Sequence, residues 1–160
     1  MSDADRGDAE AMQPRAEELS GEERELLDHY TELFEVLLEA GEIELGDEDS
    51  VLDGADRIIA LWRTMPENER PEGEHVVQAV GVVFGECLMR VFPSLSWKRI
   101  TDSYGSSIGL VSDEPEMFIA PIDAIVKRFD NEPDGFVAEL FPHFCVTLEE
   151  RGLKSSIPNE

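Results

Sequence analysis

The stretch from about Glu74 to Phe92 constrains this chain most. EHVVQAVGVVFGECLMRVF is apolar almost all round at helical spacing, with a narrow polar stripe of Gln78, Glu86 and Arg90. A helix of that kind must be covered by other elements on most of its surface, so the rest of the chain has to pack around it. Gly81 and Gly85 lie one turn apart on it. Each costs up to about 1 kcal/mol in helix propensity, and what the missing side chains permit is close approach by a neighbour. The run Val76 to Phe92 falls short of the roughly 20 apolar residues that cross a bilayer, so no membrane span is expected.

The covering elements can be read on either side. Upstream, Ser20 and Glu23 form an S-x-x-E capping box, and Leu26, Leu27, Tyr30, Leu33, Phe34, Leu37 and Leu38 repeat at helical spacing until Gly41. Ser50 can cap a second helix with Val51, Leu52, Ala55, Ile58, Ile59, Trp62 and Met65 on its buried face and Pro66 at its exit; PENERPEG then reads as a linker. Downstream the period changes. Leu95 to Thr101, Ser107 to Val111 and Met117 to Ala120 read as three short strands in an antiparallel meander, with Gly105 free to take a positive φ in the first turn. Pro121 opens a helix with Ile122, Ile125, Val126 and Phe129 on one face, and Lys127 and Arg128 near its negative end. Asp134 can cap a last helix that Pro142 should kink or split before Gly152. Strands grouped together with helices before and after make the expected fold α+β: N-terminal helices and a central buried helix on a three-stranded antiparallel meander, then two C-terminal helices. A chain of 160 residues buries roughly 70% of its unfolded surface, enough for one core. The expected organisation is a disordered acidic leader over 1–18, one domain over 19–153 and a flexible tail over 154–160.

Charge narrows the function classes. The chain holds 37 acidic and 13 basic side chains, a net of −24. Residues 1–50 carry 18 acids and 3 bases, whereas 97–128 carry 5 and 4. Phosphate contacts need Lys and Arg, so nucleic acid and anionic lipid are disfavoured as partners. Two readings of the acidity stay open: it docks a basic partner, or it maintains solubility, as in a salty cytoplasm. No export signal precedes the domain, and cytoplasmic location is the expectation.

Motifs for chemistry are few. Gly105-Ser106-Ser107-Ile108-Gly109 spells G-x-S-x-G, but it lies in a hairpin rather than on a strand-to-helix elbow. Asp47-Glu48-Asp49 with Asp53-Gly54 fails as a calcium loop, since Val51, Leu52 and Ile58 fall where ligands belong. His29, His75 and His143 are scattered, and no metal site or cofactor is expected. Cys87 and Cys145 read as buried free thiols; His143 and Cys145, two residues apart, point about 200° apart around a helix. Glu86 is the most interesting carboxylate, with Arg90 one turn on as a helix-stabilising partner. No catalytic residue is assigned.

Several elements together resemble an uncharacterised bacterial family, a domain of unknown function common in actinobacteria. The residues that carry the resemblance are Trp62 with Pro66, Gly81-x-x-Phe84-Gly85-Glu86, Trp97, Asp102-Ser103-Tyr104-Gly105, and Pro121-x-x-x-Ile125-Val126-Lys127-Arg128, within about residues 51–150. The resemblance implies an α+β domain and no assigned activity.

The expected function is that of a small non-enzymatic protein that binds another protein, through an acidic surface on a basic partner. The alternative is a small-molecule sensor or enzyme whose site gathers Glu86, Asp102, Tyr104 and Lys127 where helix and sheet meet. Arg128 is a further candidate binding residue beside Lys127, where Asp123 one turn earlier offers a structural partner.

Overall fold

A computed structural model describes residues 14–46 and 50–156. Most of the expected leader, the run Asp47-Glu48-Asp49 and residues 157–160 lie outside the described residues. The order is β1 (Arg15–Glu17), α1 (Gly21–Ala40), α2 (Val51–Thr64), α3 (Gly73–Val91), β2 (Ser96–Asp102), β3 (Gly105–Asp113), β4 (Glu116–Ile119), α4 (Pro121–Phe129) and α5 (Phe136–Glu150). The fold is α+β, with one antiparallel sheet in the order β1-β2-β3-β4.

The sheet therefore has four strands, not three. The extra strand is Arg15–Glu17, inside the expected leader, which pairs with Arg99, Ile100 and Thr101 of β2. Three exposed residues without apolar periodicity carry no strand signal; β1 exists because β2 offers an edge. The meander itself matches expectation. Asp102 pairs with Gly105 across the first turn, and Gly105 takes φ 126°.

Helix α3 is the core element. Ten of its residues are buried, Val76, Phe84 and Leu88 among them. The two glycines are where neighbours arrive: a Cβ at Gly81 would lie 2.7 Å from the Ile122 Cα of α4, and one at Gly85 would lie 2.4 Å from the Trp97 ring. Around it pack Phe34 and Leu38 of α1, Leu52, Ala55, Ile58 and Ile59 of α2, Ile125 and Phe129 of α4, and Phe136, Val137 and Leu148 of α5. Phe84 meets Phe141 and Phe144 of α5 edge-on, at 5.6 and 5.2 Å between ring centroids.

Helix ends follow the chemistry of their caps. Both expected N-caps form reciprocal boxes, Ser20 with Glu23 and Ser50 with Asp53. Asp134 does not cap α5 as expected; it pairs with Arg63 at 2.8 Å. Gly135, at φ 92°, holds the cap position and has no side chain to offer. The amides of Val137 and Ala138 donate instead to Asp56 of α2, at 2.8 and 2.9 Å. Pro142 does not split α5, which runs from Phe136 through Glu150 with that ring at an exposed position. Leu153, the last residue of the expected domain, is buried, and in the expected tail Ser156 donates from N to the Val91 carbonyl and from Oγ to that of Arg90.

Candidate functional site

Adjacent apolar residues point about 100° apart around a helix, so where a helix is covered on one side only, one member of the pair is left at the margin. Leu26-Leu27 on α1 and Ile125-Val126 on α4 are such pairs. Leu27 and Ile125 turn inward, while Leu26 and Val126 remain 43% and 47% exposed. Between them lies an open trough. One recess of about 340 Å³ is lined by Leu26, Tyr30, Val82, Ile108, Ile122 and Asp123, with Gln78 and Val126. A second, of about 300 Å³, shares Gln78 and Val126 and continues over Val77 and Phe129 to Trp62, with Glu74 and Asp130 at its sides. The floor is apolar, the acidic or basic residues in the described lining are all carboxylates, and the α1 wall carries seven acids against one base.

The far end of the trough is built on Trp62 and the contacts that hold its ring. Trp62 Nε1 donates to the Pro71 carbonyl at 2.6 Å, the Arg70 guanidinium stacks 3.8 Å over the indole, and Phe129 lies 5.0 Å away. Residues 66–73, read as a linker, thus form a clamp on that side chain.

On the other side of α1 is a more polar cavity of about 420 Å³ between α1, α3 and β2. Its floor is the pair Trp97–Glu86, with Nε1 donating to Oε2 at 2.6 Å. This corrects the expected Glu86–Arg90 pairing: a half-buried indole N–H needs an acceptor, and the Glu86 carboxylate is the one within reach. At the mouth, Glu18 accepts from Lys98 and lies 3.4 Å from Arg24. The hydrogen bond and charge of Lys98 hold the Glu18 carboxyl below the ordinary carboxylate range.

The remaining candidates each engage a local partner. Asp102 Oδ1 accepts from the Tyr104 amide at 2.8 Å, and the Tyr104 side chain stands 96% exposed at the hairpin tip. Lys127 pairs with Asp123 at 3.0 Å, and Arg128 donates to the Ala124 carbonyl of its own helix. Glu86 faces the polar cavity, while Arg128 lines a separate recess with His143. Lys98 and Arg99 turn to the N-terminal segment, Lys98 to Glu18 and Arg99 to Glu17 and Glu23. Burial pushes the Cys87 thiol up and raises that of Cys145 to about 11. Among the described residues, no group of three or more His, Cys, Asp or Glu side chains could hold a metal ion, and no helix is long and apolar enough to cross a membrane.

Among the described residues, a four-stranded antiparallel sheet with five helices, one of them buried and glycine-notched, and a trough and a polar cavity divided by α1 define this as a small α+β domain with concave surfaces on both sides of one helix. The chain belongs to the family described as a domain of unknown function, DUF3806, whose model matches residues 58–141. No curated protein and no solved structure matches the chain. The matched residues include the trough floor, its α4 wall and the Trp97–Glu86 pair; α1 and β1 lie outside them.

Proposed function

We propose that this protein is a non-enzymatic binding module whose trough takes a basic, amphipathic segment of another protein. The observation that carries the reading is the composition of the trough: an apolar floor and two part-exposed aliphatic side chains, flanked by Glu74, Asp130 and the Lys127-paired Asp123, with no Lys or Arg among the described lining residues. Apolar side chains of the partner would fill the floor, and its Lys or Arg would meet the carboxylates, an arrangement known from helix-in-groove recognition. The charge contribution acts mainly on encounter and register, and salt screens it.

The test is a selection from a displayed library of amphipathic peptides, counter-selected against Val126→Arg. Val126 is exposed, so the substitution spares the core. Recovered peptides should be rich in Lys and Arg, bind more weakly as salt rises, and fail on the variant. Peptides without basic enrichment, or binding unchanged on Val126→Arg, would refute the reading.

A further inference from the structure

The polar cavity presents an unusual division of exposure. Lys98 is only 24% exposed, yet the carboxylate that neutralises it belongs to Glu18, whose side chain is 71% exposed. Glu18 sits on a segment held by the three exposed residues of β1 and the buried Leu19. The Glu18 carboxylate itself stands in solvent, and its pair with the exposed Arg24 is of the kind that contributes little to stability. The same carboxylate also faces Arg24, so two bases converge on one anion in a chain with 13 bases and 37 acids. Behind that anion the cavity is walled by the Trp97 ring with Leu27 and Met89.

From this geometry we propose that the cavity is a binding site for a small monocarboxylic acid with an apolar tail. The ligand's carboxylate replaces that of Glu18 between Lys98 and Arg24, and its tail lies against Trp97. Glu18 is then an internal competitor, an anion placed where the ligand's head belongs. A site occupied in cis binds its ligand with an affinity reduced by the fraction of time it stands open. Glu86, with its carboxylate held at the floor by Trp97 Nε1, repels a second negative charge and so selects a monoacid over a diacid.

The probes are three compounds with one tail and different heads: hydrocinnamate, hydrocinnamyl alcohol and hydrocinnamylamine, titrated calorimetrically into the full-length chain. Hydrocinnamate should bind and the other two should not. Glu18→Gln removes the competitor without removing bulk, and should tighten hydrocinnamate binding by at least about fivefold. Lys98→Met should abolish binding; because that side chain is largely covered, Arg24→Gln, at an exposed position, provides a second arm and should weaken binding without moving the melting temperature. Val126→Arg, in the trough, should leave the acid's affinity unchanged, so failure here is separable from failure of the protein-binding reading. The proposal is overturned if Glu18→Gln leaves hydrocinnamate binding absent, unchanged or weaker, or if the amine or alcohol binds as well as the acid.

Discussion

Gly81→Ala tests the central packing argument. The added Cβ would stand 2.7 Å from the Ile122 Cα, 2.9 Å from its Cγ1 and 3.1 Å from its Cβ. Carbon atoms in contact settle about 3.5–4.0 Å apart, so α3 and α4 must separate by the order of 1 Å. The obstacle is backbone, and Ile122 follows the buried Pro121 at the start of α4, so no rotamer change relieves it. Overpacking of this kind costs about 1–3 kcal/mol, while alanine returns about 1 kcal/mol of helix propensity. With backbone as the obstacle the upper part of that range applies, and the net loss is about 1–2 kcal/mol. In a chain of this size that lowers the melting temperature by about 2–8 °C. The assay is urea denaturation, with Gly21→Ala as control, because a Cβ there meets nothing within 4 Å. Gly81→Ala should lower the midpoint while Gly21→Ala leaves it unchanged or raises it. Equal upward shifts would refute the close-approach reasoning. Gly85→Ala adds a second readout: its Cβ would displace the Trp97 ring and draw Nε1 from Glu86, so tryptophan emission should shift.

Helix α1 ends with Ile43 N donating to the Leu38 carbonyl at 2.9 Å around Glu42 at φ 53°, a position that favours glycine; Glu42→Gly should raise stability by about 0.5–1 kcal/mol, and a lowered denaturation midpoint would contradict this. Asp56→Ala removes the carboxylate that accepts two α5 amides and should cost about 0.5–2 kcal/mol, with the largest rise in amide exchange at Val137 and Ala138. Burial raises the Asp56 carboxyl above its ordinary value of 3.8 in spite of those two amide bonds; the protonation-linked part of its contribution to stability is therefore fully present below that value and is lost as pH rises through the folded value, while the amide bonds to the carboxylate remain. The stability difference between the protein and Asp56→Asn should shrink across that window, and growth with pH would show the sign to be wrong. Cys145, raised to about 11 from 9.0, should carry about a hundredfold fewer thiolates than an unfolded thiol at pH 8, and react with iodoacetamide correspondingly more slowly in the native chain.

What could be read beforehand divides along physical lines. Helices with a strong period and a Ser-x-x-acid cap were legible because their signals are local, as were the strands of the meander and the two-glycine notch. Interactions set by distant elements were not. Asp134 precedes α5 and reads as its cap, whereas Asp56 lies within α2 some 80 residues away, and only the turn at Gly135 and the packing of α2 on α5 bring its carboxylate to the α5 amides. Strand β1 is polar and short, and its pairing depends on an edge some 80 residues away. Glu86 was legible as a carboxylate facing the helix–sheet junction, but its partner Trp97 became visible only with the register of β2 against α3. Helical periodicity places the trough residues Leu26 and Val126 on apolar faces, yet both stand part-exposed. The doublets Leu26-Leu27 and Ile125-Val126 held the signal, because two adjacent apolar residues cannot both occupy the center of one stripe.

The position of α1 joins the two proposed sites. Its Leu26 and Tyr30 line the trough, its Arg24 and Asp28 line the polar cavity, and Leu27 lines both. Without α1, the apolar surface of α3 that faces Phe34 and Leu38 would be open, and neither recess would have its second wall. The residues matched by the family model supply the notched helix, most of the sheet and α4, a scaffold with one broad apolar side. The acidic helix and the segment carrying Glu18 are laid over that side from outside the matched residues. Charge and shape at both recesses are thus set where the family's scaffold meets elements beyond it. Substitutions on the outer face of α1 should accordingly alter binding at either site while leaving the packing of α3 against α4 intact.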